Sequence, residues 1–317
     1  MAPKSKKTSS ASSSKAEDNS SKKVMINEPR VFSYQEITEM TDQFHKLLGA
    51  GEYGRVYQGT YNNRNVAVKI YKLTGKRYWE NERDALSSLD DSKNIVSLIG
   101  IQYDDGEHFS IVMNHVSTTL QVVLERKELE WKVAHKILLQ LATAIQELSR
   151  KDFVVGDIKL DNVLLDQDYN VFLCDFGSAR RGGKDMPTVN SHYAAKEVSL
   201  KGHGSYATDI FSFGVIMLQM IMKENKFGGV PSTPFLHVAG KQKRESSSKK
   251  EDDHISVKAK TKYNLSQEVV HKSILSSGCS TKDAATLAKL GIECADHFEN
   301  RRPTVDEVIA KLRGLKS

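Results

Sequence analysis

A chain of 317 residues with 39% hydrophobic side chains has room for one to three domains and enough apolar surface for a sizeable core. No apolar run approaches the roughly eighteen residues of a membrane-spanning helix, and three cysteines without paired spacing (Cys174, Cys279, Cys294) exclude a disulfide framework or zinc site and point to a reducing, cytoplasmic setting. The net charge of +6 is localised, with six lysines against three acids in residues 1–29 and eight basic against four acidic residues in 240–262, so the rest of the chain is near neutral and offers no broad basic face to nucleic acid.

Residues 1–29 are rich in Ser and Lys and poor in apolar side chains. They cannot bury enough surface to offset ordering entropy and are expected to be disordered. Met1-Ala2 opens neither an apolar signal region nor a myristoylation signal. The lysines of this tail and of Lys241–Lys250 lack the interleaved aromatics that stack on bases, so solubility is preferred to nucleic-acid or acidic-membrane binding. Residues 44–116 carry short β-branched runs at Val66-Ala67-Val68, Ile95-Val96 and Ile111-Val112-Met113, separated by Gly and Asn, and these predict antiparallel strands. One helix is predicted among them, around Tyr78 to Leu89. From residue 117 helices dominate. An apolar stripe from Ala134 to Leu148 has helical spacing, residues 208–223 read as a buried helix, and Thr304 with Glu307 forms a capping-box pattern. Residues 240–262 have the composition of a solvated, flexible insertion, which lengthens a loop at little cost. The expectation is an α+β chain in which a small β-rich lobe over residues 30–116 precedes a larger helical lobe over 117–317.

Chemistry begins at Gly49-Ala50-Gly51-Glu52-Tyr53-Gly54-Arg55-Val56. Glycines let a backbone turn tightly and approach phosphate. Taken alone, this is equally a hairpin without function, and Val56-Tyr57 continues as a strand where a dinucleotide fold needs a helix. Lys69 follows an apolar run and can point into a cleft; a solvated edge lysine is the commoner fate. Glu82 in the next helix offers the carboxylate that would fix it and keep it charged. The second half adds Asp157, Lys159 and Asn162 within six residues, then Asp175-Phe176-Gly177. Phosphoryl transfer needs a group to orient a hydroxyl, a cation for the moving phosphate and oxygen ligands for Mg²⁺, and these side chains supply them in order. Each residue alone is ordinary, whereas their joint occurrence with the glycines, Lys69 and Glu82 is not.

Together these residues make the sequence resemble a eukaryotic protein kinase over about residues 32–315, and hence a bilobal protein-kinase fold. Phe32-Ser33-Tyr34-Gln35-Glu36-Ile37, Asn94 to Gly100 and Arg302-Pro303-Thr304 are similar to plant receptor-like and Pelle-related kinases, in particular non-RD receptor-like cytoplasmic kinases near the wall-associated branch. The resemblance implies ATP and Mg²⁺ as cofactors, a protein substrate phosphorylated on Ser or Thr, and a receptor kinase as a partner. It also implies roles. Leu48, Gly49, Gly51 and Gly54 cover the nucleotide, while Val56, Ala67 and Leu164 sandwich the adenine. The backbone of Met113–Val116 bonds the adenine edge and Met113 controls access behind it. Lys69, paired with Glu82, holds the α- and β-phosphates. Asp157 accepts or orients the hydroxyl proton, Lys159 stabilises the transferred phosphate, and Asn162 and Asp175 bind Mg²⁺. Asp209 anchors the catalytic loop, and Glu197 pairs with Arg302.

Three departures from the family pattern stand out. Val155-Gly156 replaces His-Arg ahead of Asp157, and Gly156 has no guanidinium to hold a phosphate. Activity is therefore expected not to depend on phosphorylation of Thr188, Ser191 and Tyr193 through that contact. Lys196 replaces the proline of Ala-Pro-Glu, and Asn190 aligns with an expected threonine. None of the three touches ATP or metal, but Lys196 and Asn190 lie where a protein substrate would dock, so a weakly active or inactive scaffold that binds another kinase or receptor is the competing reading. The histidines form no metal-spaced cluster, Trp79 and Trp131 are expected to pack, and Cys174 reads as a buried, inert thiol.

Overall fold

The computed structural model describes residues 29–316 apart from 90, 104–105, 107, 127–128, 188–191, 223–253 and 267–268. The expected disorder of 1–28, the positions Thr188, Asn190 and Ser191, and the insertion over 240–253 lie outside the described residues.

The first part is a six-stranded sheet. Its strands are β1 (Arg30–Val31), β2 (Leu47–Ala50), β3 (Gly54–Tyr61), β4 (Arg64–Tyr71), β5 (Leu98–Gln102) and β6 (Phe109–Asn114), in the spatial order β1-β5-β6-β4-β3-β2. β3 and β4 pair from Gly54↔Tyr71 to Tyr61↔Arg64. The turn between them is Asn62-Asn63, with φ of 48° and 58°. Asparagine tolerates this left-handed geometry, which matches strand twist in a two-residue hairpin. β1 joins the far edge in parallel to β5, through Arg30↔Gly100 and Val31↔Ile101. That approach needs a glycine, because a Cβ on Gly100 would lie 2.4 Å from the Phe32 ring and 2.5 Å from the Arg30 carbonyl oxygen. Phe32 and Ile37 then pack with Val66, Val68 and Val112 on the face of the sheet away from the main core. Helix α1 (Tyr34–Met40) starts at Ser33, whose side chain and that of Glu36 form a reciprocal capping box.

Helix α2 (Lys76–Ser88) lies on the other face of the sheet. Trp79 fixes it there by donating to the Ser110 carbonyl at 3.0 Å while burying its ring. The expected Ile95-Val96 strand is displaced: Ile95 forms only an isolated bridge to Leu173, and the strand begins at Leu98. The two residues instead tie the sheet to the later part of the chain, with Val96 N–H donating to the Leu173 carbonyl at 3.1 Å.

The helical part is built on α3 (Leu120–Glu125), α4 (Trp131–Arg150), α5 (Lys196–Lys201) and α6 (Tyr206–Met222), followed by α7 (Ile255–Ser266), α8 (Lys272–Ser276), α9 (Thr281–Cys294) and α10 (Val305–Arg313). Every residue of α6 from Thr208 to Met222 is buried. α9 crosses α6 closely because glycines meet at the contact. A Cβ on Gly214 would stand 2.6 Å from Cys294 Cβ, and one on Gly291 would stand 2.8 Å from Leu218 Cδ2. Thr304 and Glu307 cap α10 as their spacing predicts. The flexible insertion expected over 240–262 does not hold for 255–262, where α7 is helical from Ile255 and buries Ile255 and Ala259. Short sheets cover the junction of the two parts. β7 (Thr118–Thr119) and β10 (Val171–Leu173) flank β9 (Val163–Leu165), and β8 (Phe153–Val154) pairs with β11 (Arg180–Arg181).

Candidate active site

The junction brings together side chains that are far apart in sequence. Lys69 leaves β4 and reaches Glu82 of α2 at 2.6 Å and Asp175, just past β10, at 2.7 Å. Burial would strip the lysine of its proton, but Asp175 and Glu82 outweigh it and hold the ammonium well above its ordinary range. For Asp175, too, burial alone would favour the neutral acid. Lys69 and Lys159 outweigh that and keep it below the ordinary range, so it is ionised. Glu82 shows the opposite balance. It is fully buried, and burial raises it despite Lys69, with Asp175 adding repulsion. Its Oε2 takes the Lys69 bond, while its Oε1 is buried without a partner. Sequence reasoning missed Tyr71, whose hydroxyl donates to the same Glu82 Oε2. The signal was present, because Tyr71 lies two residues past Lys69 and strand side chains two apart share a face.

The loop after β8 carries the second cluster. Lys159 Nζ lies 2.6 Å from Asp157 Oδ2, and Asn162 Nδ2 donates to the Asp157 carbonyl at 2.8 Å. Burial raises Asp157; Lys159 pulls it down less strongly and Asp175 adds to the rise. The loop is anchored from the buried helix, since the Asp209 carboxylate of α6 accepts the backbone N–H groups of Val155 at 2.8 Å and Gly156 at 2.9 Å. Burial pushes Asp209 up to about 7, although both N–H groups pull it down. Arg302 grips Glu197 with two bonds, of 2.5 and 3.2 Å, and also donates to the Ala207 carbonyl at 3.0 Å. Cys174 donates weakly to the Asn162 carbonyl at 3.4 Å, and burial drives its thiol far above the ordinary range, so it stays a protonated, unreactive group.

Above these clusters, Ala67 pairs across the sheet with Met113. Both are buried, whereas Leu48, Val56 and Leu164 are only partly buried at the edge of the same apolar core. The glycine-bearing turn from β2 to β3 is closed by a bond from Gly51 N–H to the Gly54 carbonyl at 2.8 Å. Gly54 has a packing reason of its own, because a Cβ there would fall 2.3 Å from the Ile70 carbonyl oxygen of β4. No Cβ clash surrounds Gly51, whose nearest such neighbour is 4.0 Å away. The tip of this turn is fastened to α2. The Tyr53 ring stacks on Tyr78 with centroids 3.5 Å apart and planes 16° from parallel. Tyr78 in turn lies against Gly177, where a Cβ would come within 3.2 Å of its ring, and Asn81 donates to the Gly177 carbonyl at 3.0 Å.

The arrangement is a cation held between two carboxylates and facing a loop that presents a carboxylate, a lysine and an amide. Asp175 is ionised and its side chain is 39% exposed. Asn162 spends its amide nitrogen on the loop, which leaves its oxygen as a ligand. A carboxylate and an amide oxygen suit a hard divalent cation that retains waters and phosphate oxygens, so these residues fit Mg²⁺.

Comparison with known proteins agrees with this geometry. The family model of the protein kinase domain matches residues 43–312. The chain is similar to an L-type lectin-domain containing receptor kinase IX.2 of Arabidopsis thaliana, 30% identical over 303 residues, which are 89% of this chain and 43% of that protein. It is 29% identical to cysteine-rich receptor-like protein kinase 46 of the same plant, over 88% of this chain and 45% of the relative. It is 32% identical to cysteine-rich receptor-like protein kinase 10 of Oryza sativa subsp. japonica, over 64% of this chain and 34% of the relative. The chain thus spans less than half the length of these relatives, and no helix among the described residues is long and apolar enough to cross a membrane. The family match runs through every element that carries the cluster, from the glycine-bearing strands to Arg302, and the chain belongs to the protein kinase family.

Proposed function

We propose that the chain is an active serine/threonine kinase that uses ATP and Mg²⁺ to phosphorylate a protein substrate. One observation carries this reading: Lys69 joined to both Glu82 and Asp175, at 2.6 and 2.7 Å. That is the pairing a lysine needs to hold phosphates beside a metal-binding carboxylate. In this reading Lys69 holds the α- and β-phosphates and Glu82 and Tyr71 fix Lys69. The glycine turn with Leu48, Val56, Ala67, Met113 and Leu164 houses the nucleotide. Asn162 and Asp175 hold Mg²⁺, which when bound offsets phosphate charge. Asp157 orients the substrate hydroxyl and takes its proton, and Lys159 neutralises charge on the transferred group. Asp157 works as a base only when ionised, and in the protein alone burial raises its proton affinity, with Asp175 adding to the rise. Lys159, two places after Asp157, favours Ser/Thr over Tyr as acceptor. The relatives named as receptor kinases, together with the unpaired cysteines, favour a cytoplasmic role next to a receptor kinase.

Autophosphorylation with Mg-ATP tests this, run beside Lys69→Met and Asp157→Asn. The parent is expected to incorporate phosphate on Ser or Thr, with peptide turnover on the order of 1–100 s⁻¹, and both variants are expected to be silent. Nucleotide-induced thermal stabilisation of the parent without phosphate incorporation would establish the scaffold reading instead.

A further inference from the structure

Resting on the kinase reading, we propose that Met186 is a positioning residue that holds the segment after Asp175 against the catalytic loop by apolar packing, in place of an arginine–phosphate contact. Met186 is 5% exposed yet belongs to neither of the two apolar clusters found among the described residues. Two glycines from other segments face its thioether. A Cβ built on Gly156, the residue before Asp157, would lie 2.0 Å from Met186 Cε, and one built on Gly204 would lie 2.0 Å from Sδ. Gly156 also has φ of +76°, a conformation L side chains rarely adopt. The slot is closed by a third glycine, since a Cβ on Gly183 would meet the Gly204 carbonyl oxygen at 2.2 Å. Main-chain bonds hold its rim, from Met186 N–H to the Gly202 carbonyl at 3.1 Å and from Gly204 N–H to the Gly183 carbonyl at 3.0 Å.

An unbranched thioether suits such a narrow slot, because Met adapts to irregular gaps through its three rotatable bonds. The methyl sits where an arginine side chain would leave the backbone at position 156. Gly156 is thus fixed from two sides, by Asp209 on its N–H and by Met186 over its Cα hydrogens. Asp157 follows directly. The side chain that removes the need for a phosphate is the one occupying the space that loss of the arginine leaves.

The full chain is compared with Met186→Ala, Gly204→Ala and the double variant. The readouts are nucleotide Kd, peptide kcat and KM, and the unfolding midpoint. Met186→Ala is expected to lower peptide kcat on the order of tenfold, through misplacement of Asp157, with nucleotide Kd unchanged. Phosphatase treatment of the parent is expected to leave kcat unchanged. Gly204→Ala alone is expected to lower the midpoint, because its new Cβ takes the place of Sδ, whereas in the Met186→Ala background the loss should shrink to the part left by the 3.3 Å approach to the Gly183 carbonyl oxygen. Additive losses from the two substitutions, or a Met186→Ala chain with parental kcat, would overturn the proposal. A parent that transfers no phosphate defeats the kinase reading alone, because the coupling in unfolding midpoint still decides whether the slot is real.

Discussion

Replacing Tyr71 by phenylalanine removes one oxygen from the centre of the site and little else. The ring remains, and with it the contact in which Lys69 Nζ lies 5.0 Å from the ring centroid. What is lost is the hydroxyl bond to Glu82 Oε2, between groups that are both buried. A hydrogen bond to a charged group is worth roughly 1.5–3 kcal/mol, well above the roughly 1 kcal/mol of a neutral one. With about 2–4 °C of Tm per kcal/mol for a protein of this size, Tyr71→Phe is expected to melt on the order of 5 °C below the parent. A second effect follows from the proton on Glu82. Burial already raises its proton affinity, and the Tyr71 bond is among the interactions holding it down. Without that bond Glu82 neutralises at a higher pH and releases its hold on Lys69. Nucleotide affinity of the variant should therefore fall more steeply than that of the parent as pH is lowered. Thermal melts and fluorescent-nucleotide titrations at neutral and mildly acid pH measure both. A variant that melts within about 1 °C of the parent and follows its affinity at each pH would refute the reasoning.

Further outcomes follow from other contacts. Tyr78→Ala removes the ring stacked on Tyr53, so nucleotide Kd should rise several-fold, at about 0.5–1.5 kcal/mol for an aromatic pair, while Tyr78→Phe stays near the parent; equal effects of the two variants would dismiss the stack. Phe32→Ala empties a fully enclosed site, where such truncations cost roughly 3–5 kcal/mol; a urea midpoint close to the parent would show that the lead-in contributes little. Asp209 carries a pH signature. Burial lifts it from 3.8 to about 7, so the folded chain keeps a proton that the unfolded chain has lost across that window. That contribution is fully present below the unfolded value and is lost as pH rises through the folded one. Stability of the parent relative to Asp209→Asn should therefore decline between about pH 4 and about pH 7, and a difference that grows with pH would contradict the assignment.

Much of the site was legible in the sequence because its chemistry is written in residue types. Lys69, Glu82, Asp157, Asn162 and Asp175 are polar groups in a fixed order, and the helices around them show plain apolar periodicity. The strands were read by composition, which failed at Ile95-Val96: two β-branched residues that join the two parts of the chain look the same as two residues inside a ladder. Helix α7 was hidden by its lysines, because a polar run looks alike whether it coats a helix or fills a loop. Ser33 and Glu36 repeat the spacing of Thr304 and Glu307 and were readable by the same rule. Met186 was not readable at all. Its partners are glycines 30 residues before and 18 after it, and a glycine records that something comes close without recording what.

The lead-in strand also has a meaning for where the molecule can be cut. The family match starts at residue 43, after both β1 and α1 have ended. A version trimmed to that boundary would strip the cover from β5, leaving a ladder edge able to recruit strands from neighbouring molecules, and would open the cleft that Phe32 fills. Clumping of such a trimmed protein would then reflect an uncovered sheet margin and say nothing about the health of the catalytic machinery.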